Sequence, residues 1–224
     1  MLEERQLSQK HIRKPPSLSD FAESTIKRLI LENELRPGHQ ISIDRLAREL
    51  GVSRTPIRDA LMRLEGQGFV LSPANRSPRV APITRTLVHE LYVVREPLEC
   101  LSVRLAMPHI TDEVVESLAQ LLAEINVAEQ VSLDRHFDSD TVFHGTLMDS
   151  AGNEWLRKML MPISEHVYRI RRFAKSVPGD HYWKAHEDHL EILEALKRRD
   201  SSAAERLMSD HISHSRERLV ALLK

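Results

Sequence analysis

From Thr84 to the C-terminus the chain keeps a helical hydrophobic period, and no β-prone run interrupts it. Breaks fall at "MPHIT", "VSLD", "SAGN", "SVPGD" and "RRDS", which predicts helices over 84–106, 111–129, 132–149, 153–174, 181–198 and 201–221. Helices joined by such short loops bury their apolar stripes against one another, so this half is expected to be an antiparallel all-helical bundle. Pro97 and Pro162 lie inside helical patterns and are expected to kink or split them. No internal repeat is visible.

The first part of the chain reads differently. Residues 1–17 are polar, end in "KPPS" and suggest a flexible arm. A helix is expected over 18–35, with Phe21, Ile26, Leu29 and Ile30 on one stripe and Ser19 as N-cap. "RPGHQ" breaks it at Pro37 and Gly38. A short helix over 43–50 ends where Gly51 stands at the position of a C-cap glycine. Ser53 is placed to cap the next helix, Arg54 to about Glu65, in which Pro56 is tolerable in the first turn. Phe69–Leu71 and Arg79–Val80 flank a polar turn and read as a small hairpin. A short helix, a tight turn and a second helix have the shape of a helix-turn-helix, and the small hairpin follows it. The boundary to the bundle, 84–221, falls near 80–84. The expected fold is mainly α, a helix-turn-helix with a hairpin followed by a helical bundle.

Charge separates the same two parts. Residues 1–80 carry 14 Lys and Arg against 10 Asp and Glu, and the remainder carries 18 against 23, for a net charge of -1. A basic first part beside an acidic second part suggests a division of labour. The lone cysteine, Cys100, excludes a disulfide framework and a cysteine-based metal cluster within one chain, fits a reducing compartment, and is expected as a small buried hydrophobe. No apolar run approaches the ~18 residues of a membrane span, and the charged start lacks the apolar core of a secretory signal. The expected location is the cytoplasm.

In the helix-turn-helix, Leu46, Ala47, Leu50, Val52, Ile57, Ala60 and Leu61 can form a small core. Arg54 and Arg58 lie one turn apart at the N-terminal end of the second helix, the end that enters the major groove in such motifs. Ser53 and Thr55 suit phosphate oxygens, Arg45 and Arg48 face outward toward phosphate, and Arg76 and Arg79 are placed on the hairpin to reach the minor groove. Taken singly, each arginine also reads as decoration of a solvated helix. The string "LARELGVSRTPIRDALMRLEGQGFV", residues 46–70, resembles the helix-turn-helix core of the GntR family of bacterial transcription regulators. The resemblance implies a winged helix-turn-helix over 18–80, ahead of the antiparallel all-helical bundle, that binds palindromic operator DNA as a homodimer. The wing departs from the family pattern, with Ser77 and Pro78 where a flexible residue is usual.

The second part holds 10 of the 12 histidines. Helical spacing selects among them. Asp140 and His144 share a face at i,i+4; His189 precedes the stripe Ile192, Leu193 and Leu196; and His211 lies on a stripe with Leu207 and Leu219. Three imidazoles and a carboxylate from three helices make a site for Zn, Ni, Co, Mn or Fe. Each inward histidine could instead hydrogen-bond a neighbouring carboxylate or carbonyl, and spacing alone leaves both readings open.

"DSDTVFHGTLMDSAGNEWL" and "HLEILEALKRRDSSAAERLMSDHI" resemble the FadR-type C-terminal ligand-binding domain (FCD). The resemblance implies the FadR subfamily and its metal-containing branch. The ligands would be Asp140, His144, His189 and His211, with His186 as rival to His189 and Phe143 helping to wall the site. Zinc is the ion expected as purified. The resemblance also implies a small organic or sugar-acid effector. Its carboxylate would meet Arg95, which resembles a recurring arginine of this domain, with Arg169, Arg171 and Arg172 as further candidates. Trp155 and Trp183 are candidates to line the cavity. Three functions follow: a regulator, expected as a repressor, controlled by a carboxylate effector near the metal; a regulator for which the metal is itself the signal; and a metal-dependent enzyme fused to a DNA-binding module. The sequence contains neither an HExxH motif nor a nucleophile elbow, which weighs against the last.

Overall fold

The computed structural model describes residues 17–74, 76–126, 133–174 and 181–223. The expected arm up to residue 16, the wing tip at Asn75, the first two residues of the break "VSLD" and the break "SVPGD" fall outside them. The chain divides into two compact units, one formed by residues up to Arg28 with His39–Val80, the other by Leu29–Gly38 with Ala81 onward.

In the first unit, α1 (Leu18–Leu31) starts at Ser17, not at Ser19. The Asp20 amide donates to Ser17 Oγ at 3.1 Å, and the Ser17 amide donates to Asp20 Oδ2 at 2.9 Å, a reciprocal cap. The Ser19 hydroxyl donates instead to Asp59, 3.2 Å away. The helix also stops four residues before the expected end, because Asn33 takes a left-handed conformation at φ 61°. Phe21, expected on the buried stripe, is exposed, and Ala22 lies in the core beside Ile26.

Ser42 caps α2 (Ile43–Glu49), accepting from the Arg45 amide at 3.2 Å. Gly51 closes α2 at φ 65°, a conformation that costs a residue with a Cβ roughly 1–2 kcal/mol. Ser53 stands at the N-cap position of α3 (Arg54–Gly66), but its hydroxyl accepts from no helix amide. Leu46, Ile57, Ala60, Leu61 and Leu64 form the buried seam of the two helices, whereas Leu50 and Val52 are only half-buried. β1 (Val70–Leu71) and β2 (Arg79–Val80) pair antiparallel, Val70 opposite Val80. Gln40 bridges to Arg79 on the other side, an edge contact that the sequence did not reveal.

The second unit is the helical bundle: α4 (Arg85–Ala106), α5 (Asp112–Asn126), α6 (Leu133–Ser150), α7 (Glu154–Ala174), α8 (His181–Lys197) and α9 (Ser201–Leu222). Side-chain caps start four of them, including α5, where Thr111 accepts from the Val114 amide at 3.4 Å. Thr84 accepts from the Leu87 amide, Asn153 from the Trp155 and Leu156 amides, and Asp200 from the Ala203 amide. α4 and α7 run unbroken through Pro97 and Pro162. The core collects Tyr92, Leu118, Leu122, Phe143, Leu147, Ile192, Leu196, Met208 and Ile212. On α9 the buried stripe runs through Ala204, Met208, His211 and Ser215, and Leu207 lies at its margin. α4 packs most broadly against α9, and α6 and α8 pack against α4 and α9 respectively, so residues of all four helices can meet. Cys100 is half-buried, and its thiol lies 3.6 Å from the Glu205 carbonyl oxygen. Burial, with Glu96 and Glu205 nearby, pushes that thiol up to about 11, so it is inert near neutrality.

Candidate metal centre and its flanking cavities

α6 carries Asp140 and His144 one turn apart, α8 carries His189, and α9 carries His211. One ligand atom from each lies within 4.8 Å of all the others. The His189 and His144 Nε2 atoms are 3.3 Å apart, and Asp140 Oδ1 is 3.5 Å from His189 Nε2 and 3.8 Å from His144 Nε2. All three imidazoles are buried, with His211 only 1% exposed. Phe143 stacks on His189 with centroids 4.4 Å apart, forming one wall.

Two atoms at this centre test what it can hold. Asp140 Oδ1 and His211 Nε2 are buried and meet no hydrogen-bond donor. A buried polar atom without a partner is costly. Here two such atoms converge with two further Nε2 atoms on one point, where a cation would satisfy all four. Burial, reinforced by the neighbouring imidazoles, holds His189 and His211 well below the ordinary histidine value, and burial also lowers His144. Neutral imidazoles are the form that ligates. The cluster is therefore consistent with a divalent-metal site of three nitrogens and one carboxylate oxygen.

The outward ring nitrogens meet carboxylates. His211 Nδ1 makes a hydrogen-bonding contact with Asp188 Oδ2 at 3.1 Å, whereas His144 Nδ1 lies 3.1 Å from Glu99 Oε2 at an angle that makes no hydrogen bond. Burial alone would raise the Glu99 carboxyl, but His144 and Arg95 outweigh it and hold it down at about 2. Arg95 Nε donates to Glu99 Oε1 at 2.9 Å. Arg171 ion-pairs with Asp140 Oδ2, leaving Oδ1 for the centre. Sequence reading missed Glu99 and Asp188. Glu99 stands at i+4 from Arg95, a spacing that signals an ion pair, but Asp188 meets its histidine across two helices, which leaves no local trace.

Two small cavities, of about 50 and 90 Å³, flank the cluster and share Asp140 and Arg171. His136, His186, Ser215 and Arg218 line the first; Arg95, Glu99, Thr141 and Tyr168 line the second. Of the arginines expected to meet an effector, Arg95 faces the second cavity. Arg169 and Arg172 line neither: Arg169 is buried elsewhere, and Arg172 pairs with Glu32 at 2.6 Å. Successive helical residues turn by about 100°, so Arg169 and Arg172 share a side and Arg171 points away from Arg169, into both cavities. His186 lines the first cavity, and its atoms do not join the convergent four. Trp155 is exposed, and Trp183 packs edge-on against His136 at 4.7 Å. Neither borders the two cavities.

In the first unit, Arg45, Arg48, Ser53, Arg54, Thr55, Arg58, Arg76 and Arg79 are all exposed. Arg54 pairs with Asp44 at 2.6 Å and Arg45 with Glu49 at 3.4 Å, and both pairs stand in solvent.

A winged helix-turn-helix followed by a helical bundle that encloses a three-histidine, one-aspartate cluster defines a two-part transcriptional regulator. Residues 18–80 match the gntR family of bacterial regulatory proteins, and residues 90–214 match the FCD domain. The chain is 31% identical to the Nta operon transcriptional regulator of Aminobacter aminovorans, over 84% of this chain and 88% of that one. It is 28% identical to the HTH-type transcriptional repressor RspR of Escherichia coli K12, over 86% and 84%. The structure of E. coli McbR/YncC shares the fold, with a TM-score of 0.75 and 21% identity over 91% of this chain and 97% of that one. The protein belongs to the GntR family and carries an FCD domain. It is a transcriptional regulator, as these relatives are. No described helix is long and apolar enough to cross a membrane.

Proposed function

We propose that the protein is a FadR-subfamily repressor, a cytoplasmic homodimer whose affinity for a palindromic operator is set by a small carboxylate bound beside a divalent metal. The convergence of Asp140, His144, His189 and His211, with Asp140 Oδ1 and His211 Nε2 lacking any donor, carries this reading. These four residues would hold the ion, zinc as purified, and a bound ion supplies a Lewis-acidic anchor for an oxyanion. Arg171 orients Asp140 and, with Arg95, supplies positive charge at the cavities. The small cavities favour a compact acid over a long acyl chain. Residues 18–80 act as the DNA-binding domain, and 84–221 as the effector-binding and dimerisation domain. Arg54 and Arg58 read bases in the major groove, Ser53, Thr55, Arg45 and Arg48 hold phosphates, and Arg76 and Arg79 serve the wing. A ligand in the bundle changes operator affinity by favouring one spacing of the paired recognition helices.

Native mass spectrometry of protein purified without added metal should show a dimer with one divalent ion per chain, and His211→Ala should lose it. Gel shifts with a panel of small organic acids should show operator release that chelation abolishes. If chelation leaves DNA binding and the acid response unchanged, the metal has no role in regulation. If metal alone moves operator affinity and no acid does, the ion is the signal.

A further inference from the structure

Two metal-facing imidazoles are each backed by a carboxylate that an arginine holds, one through a hydrogen-bonding contact and one by proximity alone. His144 Nδ1 meets Glu99, and Glu99 is held by Arg95, 2.9 Å away. His211 Nδ1 meets Asp188, and Arg218 Nη2 lies 3.2 Å from the same Asp188 oxygen. Each relay ends at a cavity: Arg95 lines the second, and Arg218 lines the first with Ser215, whose hydroxyl accepts from Arg218 Nη2 at 3.0 Å. The relays come from different helices. Arg95 and Glu99 both lie on α4, whereas Asp188 is on α8 and Arg218 on α9.

The chemistry of such a pair is general. A carboxylate at one ring nitrogen draws the proton there, leaves the other nitrogen's lone pair for the ion, and holds the ring in plane with it. His211 Nδ1 makes a hydrogen-bonding contact with Asp188, which leaves its Nε2 toward the centre in the ligating tautomer; His144 Nδ1 stands 3.1 Å from Glu99 Oε2 off the line of a hydrogen bond, so there the carboxylate acts by its charge and proximity. His189 has no such carboxylate among the described contacts, and stacks on Phe143 instead.

We propose that Glu99 and Asp188 are positioning residues for the metal centre, each held in place by an arginine on a cavity wall, Arg95 and Arg218. This rests on the metal reading of the four-residue cluster. The relays place the two arginines where an anion entering either cavity meets the guanidinium that steadies a ligand's partner.

The test is the affinity of metal-free full-length protein for Co(II) and Zn(II), by competition with a chromophoric chelator, together with the visible spectrum of the Co(II) form. Asp188 is a quarter exposed, so Asp188→Ala should fold, with a melting temperature in chelator near that of the wild type. It should lose about 10–100-fold in affinity and show altered Co(II) bands. Asp188→Asn, which can still accept from Nδ1, should recover part of the loss. Arg218→Gln should weaken binding in the same direction but less, and Arg218→Lys should restore it. Glu99→Gln should also weaken metal binding, and wild-type affinity there would remove Glu99 from the proposal. Wild-type affinity and spectrum in Asp188→Ala, alongside clear loss in His211→Ala, would overturn the proposal while leaving the metal site intact. Unchanged affinity in His211→Ala would overturn the metal reading itself.

Discussion

Asp140 and His144 were legible as a pair because one helical turn separates them, and the matching burial of His189 and His211 could be read from the stripes they join. Arg171 was harder. It sits among three arginines in four residues of α7, and only the rotation of that helix against α6 selects it for the cavity over Arg169 and Arg172. The DNA-facing arginines pose the opposite case, since their exposure is evident but their partner is another molecule. Arg58 stands exposed on α3, away from the buried seam, so Arg58→Ala should leave the fold intact. It should cost about 1–3 kcal/mol of operator affinity, seen by fluorescence anisotropy as a loss of preference for operator over unrelated DNA. Undiminished preference would remove Arg58 from the interface.

Helix ends record where sequence reasoning holds and where it slips. Gly51 ends α2 as its chemistry predicts, Ser53 stands at the head of α3 without making the expected cap bond, and Thr84 and Asp200 cap α4 and α9 without having been singled out. At α1 two serines compete, and the choice of Ser17 over Ser19 comes from Asp20 returning the cap and from Asp59 on α3 engaging Ser19. Nothing within α1 itself encodes the second contact. Gly51 gives the clearest test at an element boundary. A Cβ there would meet no atom within 4 Å, so Gly51→Ala bears only the backbone cost of φ 65°. Urea unfolding followed by far-UV circular dichroism should show a loss of about 1–2 kcal/mol in the transition of the winged helix, and Gly51→Asn should lose less. A transition unmoved by Gly51→Ala would mean that the turn relaxes to a right-handed conformation.

The bundle as a whole buries several imidazoles around one centre, and its stability should follow their protonation. Burial lowers His136, His144, His186, His189 and His211 below the ordinary value of 6.5. The unfolded chain therefore binds protons below about pH 6.5 that the folded chain refuses, and acidification favours unfolding. Above that range the contribution is fully present. The melting temperature of metal-free protein should hold near pH 7–8 and fall between pH 7 and 5. Protein with saturating Zn(II) should melt higher at pH 7 and lose that advantage on acidification, because protons and metal compete for the same nitrogens. A flat melting temperature from pH 7 to 5 in chelator would contradict the lowered imidazoles.

The sequence by itself determined the helix-turn-helix with its wing, the bundle helices with their approximate ends, and the four groups of the candidate metal centre. Each of those signals is local, carried by a 3.6-residue period, a cap or a left-handed glycine. The identity of the cavity-facing arginine, the carboxylates behind His144 and His211, and the exposure of Trp155 and Phe21 depend on how helices distant in sequence rotate against one another. Periodicity assigns a residue to a face of its own helix, but the neighbour that the face meets is set by packing of the whole bundle. Asp188 and His211 show the difference, since their 3.1 Å contact joins two helices whose sequences, read separately, give no sign of it.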